Sequence, residues 1–352
     1  MEKIASKTAA IRRPRLSTLA AAAALVLAAG GAQAQQVVLK VHHFLSPASN
    51  AHQNLITPWC EKIAKESGDR LKCQIYPSMQ LGGTPAQLFD QARDGIADII
   101  WTVPTYQAGR FIKSEVFELP FMTLGGEASS PALWEYIQKN ALDEFKGTKL
   151  IFAHVHDGAV IHLGSKQVKS LDDMKGLKLR APTRIASKMI TSLGAIPVQM
   201  PAPAVPESIA KGVVDGAMIP WEVATPLKLQ EITKVHVETP AGEAKMSNTI
   251  FVMAMNQSKY DSLPADLKKV IDANSGLEAS RFAGKVFDMP ADGARKIARD
   301  RGNTFVTLSA AEYERWMKAS AGVADEWVKE ASTKGANGQG LLEEARALLK
   351  AR

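Results

Sequence analysis

The sequence predicts an α/β protein with two lobes. Of its 352 residues, the 318 that follow the first 34 are too many for one simple core. Apolar segments of strand length alternate with segments of helical periodicity, which predicts parallel sheets covered by helices. At residues 95–98 a predicted helix ends at a glycine, and an aspartate follows three residues later. The same arrangement occurs at residues 212–215. This repeat favours two lobes of one pattern, although helix–glycine–strand junctions are common in α/β folds.

The first 34 residues are typical of a secretory signal peptide. Five basic residues precede residues 16–30, a run of apolar and small side chains. Ala32-Gln33-Ala34 has the small-x-small pattern of a cleavage site. The run is shorter than the ~20 residues of a transmembrane helix. The sequence therefore predicts cleavage before Gln35 and export of a soluble periplasmic protein.

The charge balance gives no support to a nucleic-acid partner. The chain has 43 basic and 36 acidic residues, and the first 34 residues hold five of the basic ones and one of the acidic ones. Without that segment the net charge falls from +7 to +3. No run of Lys or Arg is interleaved with aromatic residues, so we expect no nucleic-acid binding.

The chain has two cysteines, Cys60 on a predicted helix and Cys73 on a predicted strand. An oxidising compartment favours a disulfide between them. Two buried free thiols are the alternative, because free cysteine is often buried. No activating group accompanies either cysteine, so nucleophilic chemistry is not expected.

The first lobe is predicted to begin with a βαβαβ unit. One helix runs through Lys65, and a second ends at Gly95. Thr84 suits the N-cap of the second helix and Pro85 its first helical position. The predicted strands are Val37–His43, Leu71–Tyr76 and residues 97–101.

The second lobe contains a predicted strand at residues 177–180, where apolar and charged residues alternate. Pro182 ends this strand, because proline has no N–H to donate to a neighbouring strand. Arg180 is therefore expected at the carboxyl end of a strand, where open α/β sheets bind their ligands. The following elements are predicted at residues 185–193 (helix, with Gly194 at C′), 196–198 (strand), 205–210 (helix) and 213–218 (buried strand).

Two further strands are predicted to carry the chain between the lobes, residues 150–156 outward and residues 249–255 on the return. Residues 262–301 are mostly helical in pattern, and residues 310–332 form an amphipathic helix. We predict lobe I from residues 35–156 and 246–275, lobe II from residues 157–245 and 276–320, and C-terminal helices at residues 321–352 that pack on the lobes.

Several short motifs occur in a familiar order and spacing. They are YPSMQLGG at 76–83, EVFELPFM at 115–122, LRAP at 179–182, LGAIPV at 193–198 and GVVDG at 212–216. In these motifs, over nearly the whole chain after residue 34, the sequence resembles the DctP-type solute-binding proteins of TRAP (tripartite ATP-independent periplasmic) transporters.

The resemblance implies a fold and a function. The fold is the Venus-flytrap arrangement of two-lobe periplasmic binding proteins, with a long helix that bridges the lobes and that Pro290 breaks or kinks. The function is capture of a small organic acid by a monomer and its delivery to the TRAP membrane permease subunits, without enzyme activity or cofactor. A periplasmic ligand sensor for a membrane receptor is the alternative. A secreted hydrolase is a weaker one, because neither G-x-S-x-G nor H-E-x-x-H is present.

Arg180 matches the arginine that grips the ligand carboxylate in the family. A guanidinium is always charged, and its planar fork fits a carboxylate with two hydrogen bonds. An exposed surface arginine is the alternative. Arg184 is expected to be solvated.

Relatives carry an asparagine where Ile219 stands and a glutamate about where Ala204 stands, so the site is expected to be less polar here. Trp221 then stacks on a flat ligand or, alternatively, belongs to the core. This favours an aromatic or otherwise less polar monocarboxylate over a sugar acid, with 2-oxo and 2-hydroxy acids also possible. The candidate ligand-binding residues are Arg180, Trp221, His156, Asp157, His43, Phe44, Trp101, Tyr106, Glu222 and Phe251.

The histidines raise the question of a metal. His154 and His156 lie on one face of a predicted strand and would supply half a metal site. No third ligand has a signature spacing, so no metal is predicted. We expect His43 and His156 to donate hydrogen bonds to an anion, and Asp157 to orient a histidine or accept from a ligand hydroxyl.

Overall fold

The computed structural model describes residues 36–351, whose strands form two sheets. The predicted signal peptide, residues 1–34, lies outside these residues. The first sheet has the order β2-β1-β3-β10-β4 and the second β11-β9-β5-β8-β6-β7. In chain order the strands are β1 (Val37–His43), β2 (Leu71–Tyr76), β3 (Ile99–Thr102), β4 (Thr148–His154), β5 (Val160–Leu163), β6 (Lys178–Ala181), β7 (Ile196–Gln199), β8 (Gly216–Ile219), β9 (Val235–Glu238), β10 (Phe251–Asn256) and β11 (Thr304–Thr307).

Helices cover both sheets, which confirms the α/β class. No helix within residues 36–351 has the length and apolar character needed to cross a membrane. The α-helices are α1 (Thr57–Glu66), α2 (Leu88–Arg93), α3 (Gly126–Tyr136), α4 (Arg184–Ser192), α5 (Val205–Ala210), α6 (Trp221–Ala224), α7 (Leu229–Ile232), α8 (Gln257–Asp261), α9 (Ala265–Ala273), α10 (Leu277–Asp288), α11 (Ala291–Asp300), α12 (Ala310–Ser320), α13 (Gly322–Thr333) and α14 (Gly338–Lys350).

The two sheets share a structural detail that matches the repeat in the sequence. In the first sheet, Asp98 accepts a hydrogen bond from the Lys40 backbone N–H at 2.8 Å and donates its own N–H to the Lys40 carbonyl. In the second sheet, Asp215 makes the same two bonds with Lys178. Each aspartate thus joins the start of its own strand to a neighbouring parallel strand, which explains why both follow a glycine turn at the same spacing.

The predicted βαβαβ start is confirmed, because β1 pairs in parallel with both β2 and β3. In the second sheet β6 pairs in parallel with β7 and β8. The prediction for residues 213–218 began three residues too early. Val213 is 48% exposed and lies in a turn, and the strand β8 begins at Gly216.

The chain passes between the sheets at two adjacent segments, after β4 and before β10. Asn248 ties them together: its amide donates to the His156 carbonyl at 3.0 Å and to Thr123 Oγ1 at 2.8 Å. Its side-chain oxygen accepts from the His156 N–H at 3.1 Å. A buried, fully bonded side chain therefore holds the crossover segments in register.

The predicted bridging helix is present as two helices, α10 and α11, which are separated by Met289 and Pro290. Helix α10 packs on α3 and β4 beside the first sheet, and α11 packs on α6 and α7 beside the second. Met289 and Pro290 keep right-handed helical dihedrals, so the chain continues from α10 into α11 although proline lacks the N–H for an intrahelical bond. A Cβ on Gly284 of α10 would lie 2.1 Å from the Gly126 carbonyl oxygen, so this helix contact requires glycine.

The bounds of the lobes remain a proposal. We would change them at one point, because α10, which the prediction assigned to lobe II, contacts the first sheet. The crossover in this region is better placed at Pro290. The predicted helix at residues 310–332 is two helices, α12 and α13, that meet at Ala321. Trp327 of α13 donates to the Ile112 carbonyl at 2.9 Å, beside the first sheet, and Lys188 of α4 pairs with Glu326.

Cys60 of α1 and Cys73 of β2 form the predicted disulfide, with their Cα atoms 5.7 Å apart. The bond fastens a covering helix to the edge strand of the first sheet. Edge strands have one neighbour instead of two, so a covalent link adds most at this position.

Replacing both cysteines by serine should lower the free energy of unfolding by about 3 kcal/mol, because a short loop is released in the unfolded chain. Denaturant titration measures the change. A reducing agent should destabilise the wild type by a similar amount and leave the double variant unaffected. Two reactive thiols in denatured, unreduced wild-type protein would contradict the bond.

Glu118, buried beside the start of β10, makes the stability depend on pH. Its Oε1 accepts from the Thr105 hydroxyl at 2.6 Å and from the Ile250 N–H at 3.1 Å. Burial raises the pKa of Glu118 to about 8 from 4.5, against the opposing effect of the Thr105 hydrogen bond. The folded protein therefore holds this proton more tightly than the unfolded chain does.

We expect this contribution to the free energy of unfolding to be complete below pH 4.5 and to be lost as the pH rises to about 8. Glu118→Gln should flatten the pH dependence in that window, because glutamine does not titrate. Denaturant unfolding at several pH values measures the slope. Glu314→Gln, on the exposed side of α12, is the control for loss of one carboxyl. Equal slopes for wild type and Glu118→Gln would refute the assignment.

Candidate functional site

A small cavity lies between the two sheets, where the carboxyl ends of β1, β3, β6 and β8 meet. Its volume is about 30 Å³, and both lobes contribute to its walls. Strand ends converge there because parallel strands of one sheet finish at the same edge. The lining residues are Phe44, Leu45, Trp101, Tyr106, His156, Arg180, Pro182, Ala202, Ile219, Pro220, Glu222, Val223, Thr249 and Phe251.

Larger depressions lie elsewhere, among them one of about 490 Å³ beside Trp134 and Lys146 and one of about 320 Å³ beside Trp59 and Phe282. The charged side chains that line them are at least partly exposed. Perturbed, buried charges mark functional sites more reliably than volume does. The cavity between the lobes is therefore the candidate site.

Arg180 is a buried cation at this cavity, with 2% of its surface exposed. Its Nε donates to the Met200 carbonyl and its Nη1 to the Met218 carbonyl, each at 2.9 Å. A hydrogen bond with the Tyr106 side chain is its third contact. Within residues 36–351 no carboxylate lies within 4.0 Å of it, and burial lowers the pKa of Arg180. A charge held only by neutral groups in a dry site requires an anion for compensation.

Arg184, four residues later, is compensated within the protein. It forms a bidentate ion pair with the buried Glu115 beside the first lobe and a second ion pair with Glu330 of α13. The expectation that Arg184 is solvated was wrong: its side chain is 18% exposed. Of these two arginines, Arg184 is paired with carboxylates and Arg180 has a positive charge at the cavity without a carboxylate partner.

Flat aromatic rings form one wall. Trp101 stacks on Phe44 at 5.3 Å and on Phe251 at 4.9 Å between ring centroids. The Trp101 indole N–H donates to His154 Nε2 at 3.0 Å, so the polar edge of the ring is satisfied inside the first lobe. The wall therefore presents apolar ring surface to the cavity.

His156 brings a neutral imidazole to the cavity. Its Nδ1 accepts from the Gly158 N–H at 2.9 Å, so the proton of the neutral ring is on Nε2. Burial, together with the neighbouring His154 and Arg180, lowers the pKa of His156 to about 3. The ring is thus a hydrogen-bond donor at Nε2 and remains uncharged at neutral pH.

Glu222 is the acidic residue of the cavity and is 3% exposed. Burial raises the pKa of Glu222 to about 8, and a hydrogen bond with Asn50 of the first lobe opposes the rise. Its Oε1 has no hydrogen-bond partner in the part of the chain that the structure describes.

Three of the predicted site residues do not line the cavity. Trp221 is fully buried behind it, where its Nε1 donates to Glu238 Oε1 at 2.7 Å and its ring packs on Phe305. Trp221 and Glu222 are successive residues of α6, so their side chains point about 100° apart and only Glu222 faces the cavity. Trp221 therefore belongs to the core, which was the alternative to stacking on the ligand.

His43 and Asp157 are the other two. His43 Nε2 bonds His52 Nδ1 at 2.9 Å, and His43 points away from the cavity because successive residues alternate in direction at the end of β1. Asp157 follows His156 in the crossover segment, and burial raises its pKa well above the usual range. The remaining seven predicted residues, Phe44, Trp101, Tyr106, His156, Arg180, Glu222 and Phe251, line the cavity together.

Seven lining residues were not among the ten candidate ligand-binding residues, although Ile219 was expected at the position of a family contact. Pro182, Ile219 and Pro220 follow Arg180 or end β8, and strand ends are a signal that could have identified them. Leu45, Ala202 and Val223 lie in a bend or in short helices, where sequence periodicity does not indicate which way a side chain points, and Thr249 lies in the crossover segment before β10.

The histidines do not form a metal site. His154 Nε2 accepts from Trp101 and its Nδ1 bonds the Val155 carbonyl at 3.1 Å, so both ring nitrogens are engaged. Throughout the described chain, no group of three or more His, Cys, Asp or Glu side chains is arranged to hold a metal ion.

Known proteins match most of this chain. Residues 41–330 match the DctP family, bacterial extracellular solute-binding protein, family 7. The outer membrane transporter protein TsaT of Comamonas testosteroni is 28% identical over 319 residues, which are 90% of this chain and 93% of that protein.

Solved structures give closer matches. A TRAP solute-binding protein from Rhodoferax ferrireducens T118, in complex with copurified benzoate, is 47% identical, with a TM-score of 0.88, over 90% of this chain and 98% of that one. A marine metagenome TRAP solute-binding protein specific for aromatic acid ligands, with 3-hydroxybenzoate, is 42% identical, with a TM-score of 0.88, over 90% of this chain and 99% of that one. The chain therefore belongs to the DctP family and is a TRAP-type solute-binding protein.

Proposed function

We propose that this protein captures an aromatic monocarboxylate in the periplasm and delivers it to a TRAP membrane permease. The observation that carries the proposal is Arg180, a buried cation with neutral partners beside a wall of aromatic rings. The benzoate and 3-hydroxybenzoate in the two related structures support the same ligand class. Export through a cleaved signal peptide, action as a monomer and absence of catalysis belong to the proposal.

The carboxylate binds Arg180 in this proposal. A guanidinium has five N–H donors, and two of them are used by the Met200 and Met218 carbonyls. A ligand carboxylate takes remaining donors and supplies the missing negative charge. Charge-assisted bonds of this kind are about twice as strong as bonds between neutral groups.

The walls favour an aromatic body. Trp101 and Phe251 present flat rings, and Ile219 and Val223 add aliphatic surface. A sugar acid would bring several hydroxyl groups against these walls, and each buried hydroxyl without a partner costs ~1–3 kcal/mol. Few polar groups meet the cavity besides Arg180, chiefly the His156 ring and the Glu222 carboxyl.

Binding requires the lobes to separate and close again. The cavity of about 30 Å³ is much smaller than the ~300 Å³ or more of common ligand pockets, so an aromatic acid needs the walls to move apart. The Tyr106 hydroxyl accepts from the Ala202 N–H at 3.2 Å, a contact between the lobes at the edge of the cavity. Opening about the crossovers near Asn248 would expose Arg180, and a ligand that contacts both lobes favours closure.

Arg180→Met should weaken binding of benzoate by roughly two to four powers of ten, because losing one member of a buried ion pair costs about 3–5 kcal/mol and each tenfold corresponds to about 1.4 kcal/mol. Arg180→Lys should recover part of the affinity, since lysine lacks the planar fork. Calorimetry gives the affinities. Arg110→Met, which removes an arginine paired with Asp90 in the first lobe, is the control. A folded Arg180→Met protein with wild-type affinity would place the anchor elsewhere.

Aromatic monocarboxylates should bind more tightly than succinate or sialic acid. A second carboxylate or a set of sugar hydroxyls would be buried against apolar walls without partners. A thermal-shift screen of carboxylates followed by calorimetry on the exported protein ranks them. A dicarboxylate or a sugar acid in first place would refute the proposed ligand class.

A further inference from the structure

Glu222 is a buried carboxyl group with an unmet hydrogen bond at the ligand cavity. It is 3% exposed, and its Oε1 has no partner within residues 36–351. Buried polar atoms are almost always paired, because leaving one without a partner is costly. The cavity that Glu222 lines is the space from which a partner can reach this atom.

Glu222 is not the counter-charge of Arg180. No ion pair joins the two side chains within 4.0 Å in the described structure. Arg180 donates to the carbonyls of Met200 and Met218, whereas Glu222 interacts with Asn50 of the first lobe, which opposes the rise in its pKa. Besides the neutral ring of His156, the cavity therefore has two separate polar groups, a cation and a carboxyl, within largely apolar walls.

We infer that Glu222 binds a hydroxyl group on the ring of the aromatic acid, so that the protein prefers hydroxy-substituted aromatic monocarboxylates. The inference rests on the proposed function, in which Arg180 takes the carboxylate of the same ligand. It adds a second point of recognition, which an unsubstituted ring cannot use.

The chemistry of the two groups is complementary. Burial raises the pKa of Glu222 to about 8, so its carboxyl is mostly neutral at pH 7. A neutral carboxyl both donates and accepts a hydrogen bond, and so does a phenolic hydroxyl. An ionised carboxylate would repel the ligand's own carboxylate, whereas the neutral form does not. A water molecule bound to Oε1 is the alternative to a ligand hydroxyl, and the relative affinities of hydroxy and methyl acids distinguish these two partners.

The test compares ligands of equal shape on the wild-type protein by calorimetry at pH 7. The pairs are 3-hydroxybenzoate with 3-methylbenzoate and 4-hydroxybenzoate with 4-methylbenzoate. Burial in a dry wall favours the methyl group, so a preference for the hydroxyl requires a hydrogen-bond partner. We expect the hydroxy acid to bind about two- to tenfold more tightly in at least one pair, the range of one net hydrogen bond.

Variants then assign the preference to Glu222. In Glu222→Met the hydroxyl preference should disappear, while benzoate still binds through Arg180. Glu144→Gln removes an acid that is held by the Ser114 hydroxyl and the Lys113 N–H and does not line the cavity, so the preference should be unchanged in this control.

Each outcome of these experiments either supports or overturns the inference about Glu222. Equal affinities within both pairs, or a hydroxyl preference that persists in Glu222→Met, would overturn the inference and leave the proposed function standing. The wild-type ligand pairs give this answer even if Glu222→Met does not fold. If no aromatic acid binds the wild type, the proposed function fails and this inference fails with it.

Discussion

The uncompensated charge of Arg180 is the constraint on which the site depends. A guanidinium removed from water and held only by backbone carbonyls and a tyrosine is unfavourable until an anion joins it. The same desolvation that destabilises the free guanidinium also strengthens its electrostatic attraction to a carboxylate. Arg184, four residues further along the chain, shows the alternative: its charge is compensated by Glu115 and is not available to a ligand.

The fold buries Arg180 between two lobes, and the connections between the lobes are where the site would open. Arg180 lies at the end of β6, next to β8, whose Met218 carbonyl orients it. The aromatic wall belongs to the other sheet, so the site is complete only when the lobes meet. Two crossover segments tied by Asn248 and the junction of α10 and α11 at Pro290 join the lobes, and in the proposed function the lobes would open and close about these connections.

Acidic side chains near the site are kept neutral by burial. Glu222 and Glu118 both have a pKa raised to about 8. A neutral acid is a hydrogen-bonding group that leaves the field of Arg180 intact, whereas an ionised one would compete with the ligand for it. The ring of His156, neutral for the same reason, donates without adding charge. In the proposed function, selectivity would thus come from one charge and a few uncharged polar contacts.

The sequence alone determined the α/β class, most strand positions, the pairing of Cys60 with Cys73, and Arg180 as a residue at a strand end. These features follow from hydrophobic periodicity, from the positions of proline and glycine, from the presence of two cysteines and from the family motifs. Only the tertiary structure decided which neighbours of the predicted residues reach the cavity. Glu222 faces it and Trp221 does not, although they are adjacent in sequence, because the turn of α6 sends one inward to the cavity and the other into the core. The structure also showed that Arg184 is neutralised by Glu115, 69 residues away. Such outcomes depend on contacts between distant segments, and a local pattern holds no information about what lies on the other side of a cleft.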